Sequence, residues 1–291
     1  MDVIPGRPDE NHKKILEIIS TAKEKQADIL LLPEMCIPGY LIGDLWEQQT
    51  FLDDCQYYAE QIIAAFACQD SQIIGGYMGR NFIIKNSLPN YREFDDYRYF
   101  YSLQKLCAEE DAVVREALQP LKVTIKGETI KVGLMICEDG WTENYHLNVP
   151  QTLADNGAEI LFNLSCSPYS LGKNKKRNKL FSAQAKEAGV PLVYCNNVGI
   201  QNNGKNVFTY DGFSTAYNAD GTVSASAEMY EDTILECTWD TEAGHFVGEG
   251  SIAALPQEPE SIYKSLHYGT EKFLHQCGIK KMTIGLSGGI D

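Results

Sequence analysis

The feature that most constrains this chain is an apolar run that stops abruptly at a cysteine. Residues 131–141 read KVGLMICEDGW, and residues 132–136 have the length and apolarity of a strand that is covered on both faces. Polarity returns at Cys137, and Gly140 permits a sharp turn. A thiol at the tip of a buried strand can act as a nucleophile, and the turn can present backbone N–H groups to an oxyanion. The alternative is that Cys137 is a small buried hydrophobe, as we expect of the other cysteines.

Two further strand-like runs end in charged residues. Residues 30–40 read LLLPEMCIPGY and residues 81–94 read NFIIKNSLPNYREF, so the first run ends at Glu34 and the second at Lys85. A carboxylate, an ammonium and a thiol that converge at one edge of a sheet supply a base, an electrostatic stabiliser and a nucleophile. Together they form a complete set for amide hydrolysis. Taken singly, either charge is more typical of a solvated surface group.

Helical and strand-like patterns alternate along the chain, and this alternation predicts a layered α/β architecture. The predicted helices are residues 11–25, a helix within 43–65, 106–118, 149–156, 175–188 and 262–276. The predicted strands are residues 28–32, 71–76, 160–164, 190–196 and 233–239, with a hairpin arm at 123–128 and a hairpin over 213–227.

The order Glu34, Lys85, Cys137 in these contexts resembles the nitrilase, or carbon–nitrogen hydrolase, superfamily. Within it, the runs LPNYREFDDYRYF and ICEDGW are similar to the glutaminase domain of glutamine-dependent NAD+ synthetases. The last ten residues, MTIGLSGGID, resemble the strand and pyrophosphate loop that open the synthetase domain of the same enzymes. The resemblance covers nearly the whole chain, and it implies an α/β fold of the nitrilase type, a four-layer α-β-β-α sandwich.

The resemblance also implies roles for particular residues. Cys137 would attack the side-chain amide of L-glutamine, with Glu34 as general base and Lys85 stabilising the oxyanion. The residues that would bind glutamine are Tyr91, Phe94, Ser167 and Lys173. The residues that would form an incomplete ATP-binding loop are Ser287, Gly288, Gly289 and Asp291. From the residues alone, the aromatic stretch 90–101 is equally compatible with a surface loop, and the cationic stretch that begins at Lys173 with a solvated helix start.

The same resemblance divides the chain into three parts. Residues 1–243 would form the nitrilase-like glutamine amidohydrolase domain, residues 244–260 a linker, and residues 261–291 the truncated start of an ATP-pyrophosphatase domain. The glutaminase part would need no metal or organic cofactor, whereas ATP and Mg²⁺ would serve the synthetase part. That synthetase domain would be the partner that accepts ammonia, and a homo-oligomer is expected from the family.

Two departures from the family pattern stand out in the sequence. The chain begins too late to supply all of the first strand that members of the family have. Residues 76–85 leave room for about one strand where relatives have a longer excursion, so the strand context of Lys85 is compressed.

Composition excludes several other classes of protein. The formal net charge is 25 − 40 = −15, which argues against a nucleic-acid or anionic-membrane partner. The nine cysteines form no CxxC pair and no Cys/His cluster, so the sequence indicates neither a zinc site nor a disulfide framework. Free cysteines of this kind indicate a reducing compartment. We find no apolar run of membrane-spanning length and no signal peptide, so we expect a cytoplasmic protein.

Three alternatives remain open from the sequence. The first is a stand-alone amidase of the same superfamily, such as an ω-amidase, which a preference for simple amides over glutamine would reveal. The second is a catalytically inactive assembly domain, for which replacing Cys137 by Ala would change no activity. The third is an α/β binding protein without this chemistry.

Overall fold

Helices and strands alternate along the chain in the computed structural model, which describes residues 1–66, 72–74, 83–247, 251–285 and 288–289. The helices are α1 (Pro8–Glu24), α2 (Gln49–Phe66), α3 (Asp96–Tyr99), α4 (Leu103–Glu109), α5 (Val114–Ala117), α6 (Val149–Asp155), α7 (Lys173–Ala188) and α8 (Glu258–Gln276). The strands are β1 (Ile29–Leu31), β2 (Gln72–Ile74), β3 (Leu121–Ile125), β4 (Glu128–Ile136), β5 (Ile160–Ser165), β6 (Leu192–Asn196), β7 (Val198–Asn202), β8 (Val207–Asp211), β9 (Thr215–Tyr217), β10 (Val223–Ser226), β11 (Thr238–Asp240) and β12 (His245–Val247).

The main sheet has six strands in the order β10-β9-β6-β5-β4-β3. The central strands β4, β5 and β6 are parallel, and the outer pairs β3–β4 and β9–β10 are the predicted hairpins. Ile136 is in register with Leu164, and Leu164 with Cys195. The carboxyl ends of the three central strands therefore lie side by side, and the residues that follow them meet at one edge of the sheet.

A second layer of strands faces the main sheet. It contains the parallel pair β1–β2 and the antiparallel pair β7–β8. The amino-terminal residues join β7, since the N–H of Val198 donates to Met1 at 2.9 Å and the N–H of Val3 donates to Val198 at 3.2 Å. A cleft of about 630 Å³ lies between β1 and the main sheet, and Cys137 does not line it.

Alternation along the strands gives the molecule four layers. On β1, Ile29 and Leu31 pack against the core shared with the main sheet, whereas Leu30 packs on the other side against the α1 residues Ile15 and Ile19. This is the period of two that a strand buried on both faces requires.

The main sheet divides its faces in the same way. On β5, Phe162 points into the core between the sheets, and Leu161 packs against Phe181 and Ala185 of α7. The order is therefore helices, strands, strands, helices, which confirms the predicted α-β-β-α sandwich.

Helix α8 lies against the β7–β8 pair through small residues. Its buried residues are Ser261, Ser265 and Gly269. Ser265 shares a hydrogen bond of 2.8 Å with Thr209 of β8, and Ser261 shares one of 2.8 Å with the hydroxyl of Tyr169. Small side chains on this face let the helix approach the strands closely. None of the described helices combines the length and apolarity needed to cross a bilayer.

The structure corrects the sequence prediction in several places. The helix predicted at 106–118 is two short helices, α4 and α5, separated at Asp111, whose φ is +53°. The closing strand predicted at 233–239 is a strand only over Thr238–Asp240, which pairs with β12. Residues 282–285 form no strand, because a strand needs a hydrogen-bonded neighbour and none of the described residues pairs with them.

The predicted division into domains stays a prediction. Strand β12 lies inside the predicted linker, and α8 begins at Glu258, before the predicted boundary at residue 261. Most of the short connection that leads to Lys85, residues 75–82, falls outside the described residues.

Candidate active site

The three charged or nucleophilic residues predicted from the sequence lie on different segments of the chain. Glu34 follows β1 after two apolar or turn residues, and Cys137 follows β4 directly. Lys85 differs from the prediction, because Ile83 and Ile84 before it do not form a strand. The lysine is held instead by its backbone carbonyl, which accepts a hydrogen bond of 2.9 Å from the N–H of Leu103.

Glu34 and Lys85 meet in a buried ion pair. The Lys85 Nζ donates to Glu34 Oε1 at 2.7 Å, and the two residues are 9% and 7% exposed. The second carboxylate oxygen of Glu34 accepts a hydrogen bond of 3.1 Å from the backbone N–H of Cys166, at the end of β5. Both oxygens of Glu34 are thus occupied, which satisfies a charge that would be costly to bury alone.

Asp96 is a second carboxylate on the same lysine, and the sequence analysis missed it. Its Oδ2 accepts from the Lys85 Nζ at 3.1 Å, and its Oδ1 accepts from the hydroxyl of Tyr40 at 2.6 Å. Asp96 is 2% exposed at the start of α3. The acidic run EFDD around it is typical of a surface turn, and only its burial distinguishes Asp96 from the exposed Asp95.

The two carboxylates keep Lys85 charged. Burial lowers the pKa of Lys85, but the nearby charges of Glu34 and Asp96 outweigh that effect and raise it well above its usual value. A lysine held in this state can stabilise a developing negative charge without losing its proton.

Cys137 lies at a strained turn beside this ion pair. Its φ is +44°, in the left-handed region that side chains with a Cβ rarely adopt, and it opens a short 3₁₀ turn that ends at Gly140. Its backbone carbonyl accepts from the Asn163 side chain at 3.2 Å. Burial and the charge of Glu34 raise the pKa of the Cys137 thiol, and the ammonium of Lys85 opposes them. The thiol is therefore protonated in the resting protein and needs a base to become a nucleophile.

The predicted aromatic residues lie around Glu138, the residue after Cys137. The hydroxyl of Tyr91 donates to Glu138 at 3.0 Å, and the hydroxyl of Tyr145 donates to it at 2.8 Å. The ring of Phe94 packs against Tyr91 at a centroid distance of 5.6 Å. Burial raises the pKa of Glu138, and the hydrogen bonds from the two tyrosine hydroxyls offset only part of that rise. Tyr145 carried no distinguishing signal in the sequence.

Ser167 lies on the loop that follows β5, and Lys173 is the first residue after that loop. Ser167 is 2% exposed, and its backbone N–H donates to the Asn196 side chain at 2.9 Å. Lys173 opens α7, with its Nζ 5.7 Å from the centroid of the Trp141 ring. Burial and the charge of Arg177 lower the pKa of Lys173 to about 8.

The loop between these two residues is anchored to the second sheet and to α8. The backbone N–H of Tyr169 donates to Thr209 at 2.8 Å, and its hydroxyl reaches Ser261 of α8 at the same distance. The loop that runs from Ser167 to the start of α7 at Lys173 is therefore supported in part by α8.

The predicted ATP-binding loop is described only in part. Gly288 and Gly289 are exposed and lie in a bend, whereas Ser287 and Asp291 fall outside the described residues. The assignment of this loop to ATP stays a prediction. Among the residues that the structure describes, no three His, Cys, Asp or Glu side chains are grouped as a metal site would require.

Known proteins resemble this chain in sequence and in structure. The sequence profile of the carbon-nitrogen hydrolase family matches residues 4–244. A glutamine-dependent NAD(+) synthetase from Synechocystis sp. is 30% identical over 314 residues, which cover 97% of this chain and 52% of the relative. The glutamine-dependent NAD+ synthetase from Acinetobacter baumannii superposes with a TM-score of 0.79 at 23% identity, over 96% of this chain and 51% of that one. The carbon-nitrogen hydrolase from Helicobacter pylori G27 superposes with a TM-score of 0.60 at 17% identity, over 80% and 85% of the two chains.

The family match spans most of the chain, and it includes the cluster of Glu34, Lys85 and Cys137. The chain spans about half the length of the synthetases that it matches. The match to the family profile, by contrast, runs almost from the first residue to β12. The chain belongs to the carbon–nitrogen hydrolase family.

Proposed function

We propose that this chain is the glutamine-hydrolysing part of a glutamine-dependent NAD+ synthetase. The observation that carries the proposal is the buried Glu34–Lys85 ion pair beside Cys137, in a member of the carbon–nitrogen hydrolase family. The names of its relatives among the synthetases support glutamine as the amide donor.

The reaction begins at the thiol of Cys137. Glu34 takes the thiol proton as the sulfur attacks the side-chain amide carbon of L-glutamine. The C–N bond then breaks, Glu34 gives the proton to the departing nitrogen, and ammonia leaves. A γ-glutamyl thioester remains on Cys137.

Water completes the cycle at the same residues. Glu34 deprotonates a water molecule that attacks the thioester carbonyl carbon, and the C–S bond breaks to release L-glutamate. The sulfur recovers its proton from Glu34. In both halves Lys85 stabilises the oxyanion of the tetrahedral intermediate, together with a backbone N–H of the turn after Cys137.

Opposite charges near Cys137 suit the α-amino-acid end of glutamine. Glu138 is the residue next to Cys137, and the ammonium of Lys173 is near enough to favour the charged form of Glu138. A carboxylate and an ammonium can pair with the α-ammonium and α-carboxylate groups of the substrate. Tyr91, Phe94 and Ser167 would complete the pocket.

The ammonia would be used by a second domain. In the proposed enzyme that domain amidates deamido-NAD+ with ATP and Mg²⁺, whereas the glutaminase part works without a metal or organic cofactor. Ser287, Gly288, Gly289 and Asp291 would contribute to its ATP-binding loop. The partners of this chain would be L-glutamine, that synthetase domain and further copies of the same chain, in the cytoplasm.

An electrophilic glutamine analogue tests the proposal directly. We expect a diazoketone analogue of L-glutamine to label Cys137 alone, which peptide mass spectrometry detects, and excess L-glutamine to prevent the labelling. The Cys137→Ala variant should remain unlabelled and should release no ammonia from glutamine.

Two results would contradict the proposal. Labelling spread over several cysteines, or none, would mean that the pocket does not select glutamine. Faster hydrolysis of simple ω-amides than of L-glutamine would instead indicate a stand-alone amidase.

A further inference from the structure

Asp139 is a buried carboxylate that the proposed reaction does not use. It lies two residues after Cys137 and is 4% exposed. Its hydrogen bonds in the described residues come only from backbone N–H groups. Ser87 donates to Oδ1 at 2.7 Å, and Ile136 and Asn86 donate to Oδ2 at 3.1 and 3.4 Å.

These three N–H groups belong to the two segments that carry the nucleophile and the lysine. Ile136 is the residue before Cys137, whereas Asn86 and Ser87 are the two residues after Lys85. A single carboxylate therefore holds both segments by their backbones, at a distance of one or two residues from each functional side chain.

No other backbone link between the two segments is present in the described part of the chain. Strand β4 pairs only with β3 and β5, and no backbone–backbone hydrogen bond joins residues 83–89 to residues 134–141. The hydroxyl of Tyr91 reaches Glu138, but this contact joins two side chains and not the backbones of the two segments. The segment around Lys85 is also irregular, so a strand ladder does not fix its register against β4.

We propose that Asp139 is a positioning residue, whose carboxylate sets the Lys85 ammonium in register with the Cys137 thiol. The inference rests on the proposed function, since it assigns both side chains to one reaction. A carboxylate bonded to several N–H groups forms strong, charge-assisted hydrogen bonds, and it fixes the donors in space. Burial raises the pKa of Asp139 to about 6, so that the group is still ionised at neutral pH.

The substitution Asp139→Asn tests this role. Asparagine keeps the shape of the side chain, but its NH₂ group must face at least one of the three N–H donors. We expect the rate constant for alkylation of Cys137 by iodoacetamide, followed by peptide mass spectrometry, to fall by about tenfold or more. The reason is that a displaced Lys85 no longer stabilises the thiolate. We expect kcat for glutamine to fall by about 100-fold, as a displacement of about 1 Å can cause, with KM within about threefold.

Glu159→Gln is the matched control. Glu159 also accepts a backbone N–H with its carboxylate, from Lys131 at 2.7 Å, but near the opposite end of β4. In this variant, the rate constant for alkylation of Cys137 and kcat for glutamine should remain those of the wild type. A purely structural role for Asp139 would lower the melting temperature and leave the folded molecules with wild-type alkylation and kcat. That result in Asp139→Asn would overturn the inference.

Two further measurements keep the test decisive. If Asp139→Asn does not fold, Asp139→Glu retains the charge and displaces the oxygens by one methylene group, and wild-type alkylation of that variant would overturn the inference. In the wild type, the amide hydrogens of Ser87 and Ile136 should exchange slowly, and rapid exchange of Ser87 would also overturn it. If the wild type hydrolyses no glutamine, the proposed function fails, whereas the alkylation and exchange rates still decide the role of Asp139.

Discussion

At the scale of single residues, the charges that surround Lys85 decide whether its side chain stays protonated. One ammonium lies between the carboxylates of Glu34 and Asp96, with a thiol beside it. In the proposed reaction Glu34 becomes protonated, and the second partner, Asp96, would then keep the lysine charged. We therefore expect Asp96 to matter for the proposed reaction although it contacts Lys85 and not the substrate.

Replacing Asp96 by Asn should lower activity more than stability. The change removes a negative charge 3.1 Å from the Lys85 Nζ but leaves Glu34 in place, so we expect kcat for glutamine to fall about 10- to 100-fold. Steady-state ammonia release measures the effect. The neighbouring Asp95 is exposed, and Asp95→Asn should behave as the wild type. Equal effects of the two substitutions would contradict this account.

Lys173 should make glutamine binding depend on pH. Its pKa is lowered to about 8, so it is charged below that pH and loses its charge above it. Between pH 7 and pH 9 the protonated fraction falls about tenfold, and KM for glutamine should rise by about the same factor.

Lys173→Arg provides the control for that prediction. A guanidinium stays charged throughout this range, so KM of the variant should change little between pH 7 and pH 9. A wild-type KM that is flat with pH would show that Lys173 does not bind the substrate carboxylate.

At the scale of elements, local sequence signals explain what could be predicted. The run that ends at Cys137 is an apolar strand followed by a turn, and the structure has β4 and a 3₁₀ turn there. Helix α7 ends where Gly189 adopts a φ of +67°, as its glycine predicts. The segment around Lys85 has no regular hydrogen bonds, so no periodicity could reveal it. Asp96 is defined by contacts with residues distant in the sequence, and composition does not encode them.

The turn after Cys137 requires a glycine at position 140. A Cβ there would clash with the Nδ2 of Asn163 and would lie 2.6 Å from the ring of Phe181. We expect Gly140→Ala to lower the free energy of unfolding by about 1–3 kcal/mol, because overpacking forces these side chains to move. Urea unfolding measures the change.

Gly285 offers a comparison for this substitution. It is exposed, and a Cβ there would meet nothing within 4 Å. Gly285→Ala should leave the free energy of unfolding unchanged. Loss of activity in Gly140→Ala without loss of stability would mean that Asn163, Phe181 and the turn shift without a cost in free energy.

At the scale of the whole molecule, the layers could be predicted but their connections could not. Alternating helices and strands indicated α/β layering, and the family resemblance implied the sandwich. The second layer of strands is divided into the pairs β1–β2 and β7–β8, and the closing strand is confined to β11. Pairing between strands far apart in sequence decides such details, and single-segment patterns do not contain it.

A buried ion pair joins the outer helix layer to the second layer of strands. Arg177 of α7 is 1% exposed and contacts Asp211 of β8 at 3.3 Å. Arg177→Met would leave Asp211 as an uncompensated buried charge, and we expect the free energy of unfolding to fall by about 3–5 kcal/mol.

The neighbouring lysine distinguishes a buried pair from an exposed one. Lys176 forms a surface ion pair with Glu143 at 2.7 Å, and Lys176→Met should cost less than about 1 kcal/mol. Denaturant unfolding of both variants gives the comparison. Equal costs would show that the burial of Arg177 contributes no additional stability.

The contacts of α8 with the loop after β5 and with β8 have a consequence for the rate of product release. Tyr169 on the loop and Thr209 on β8 are held by Ser261 and Ser265 of the same helix. The loop that runs from Ser167 to the start of α7 should therefore open for substrate only when α8 moves away from it, so that the two motions occur in one step. Amide hydrogens of the loop and of α8 should then exchange with a common opening rate, and the release of glutamate should be no faster than that opening.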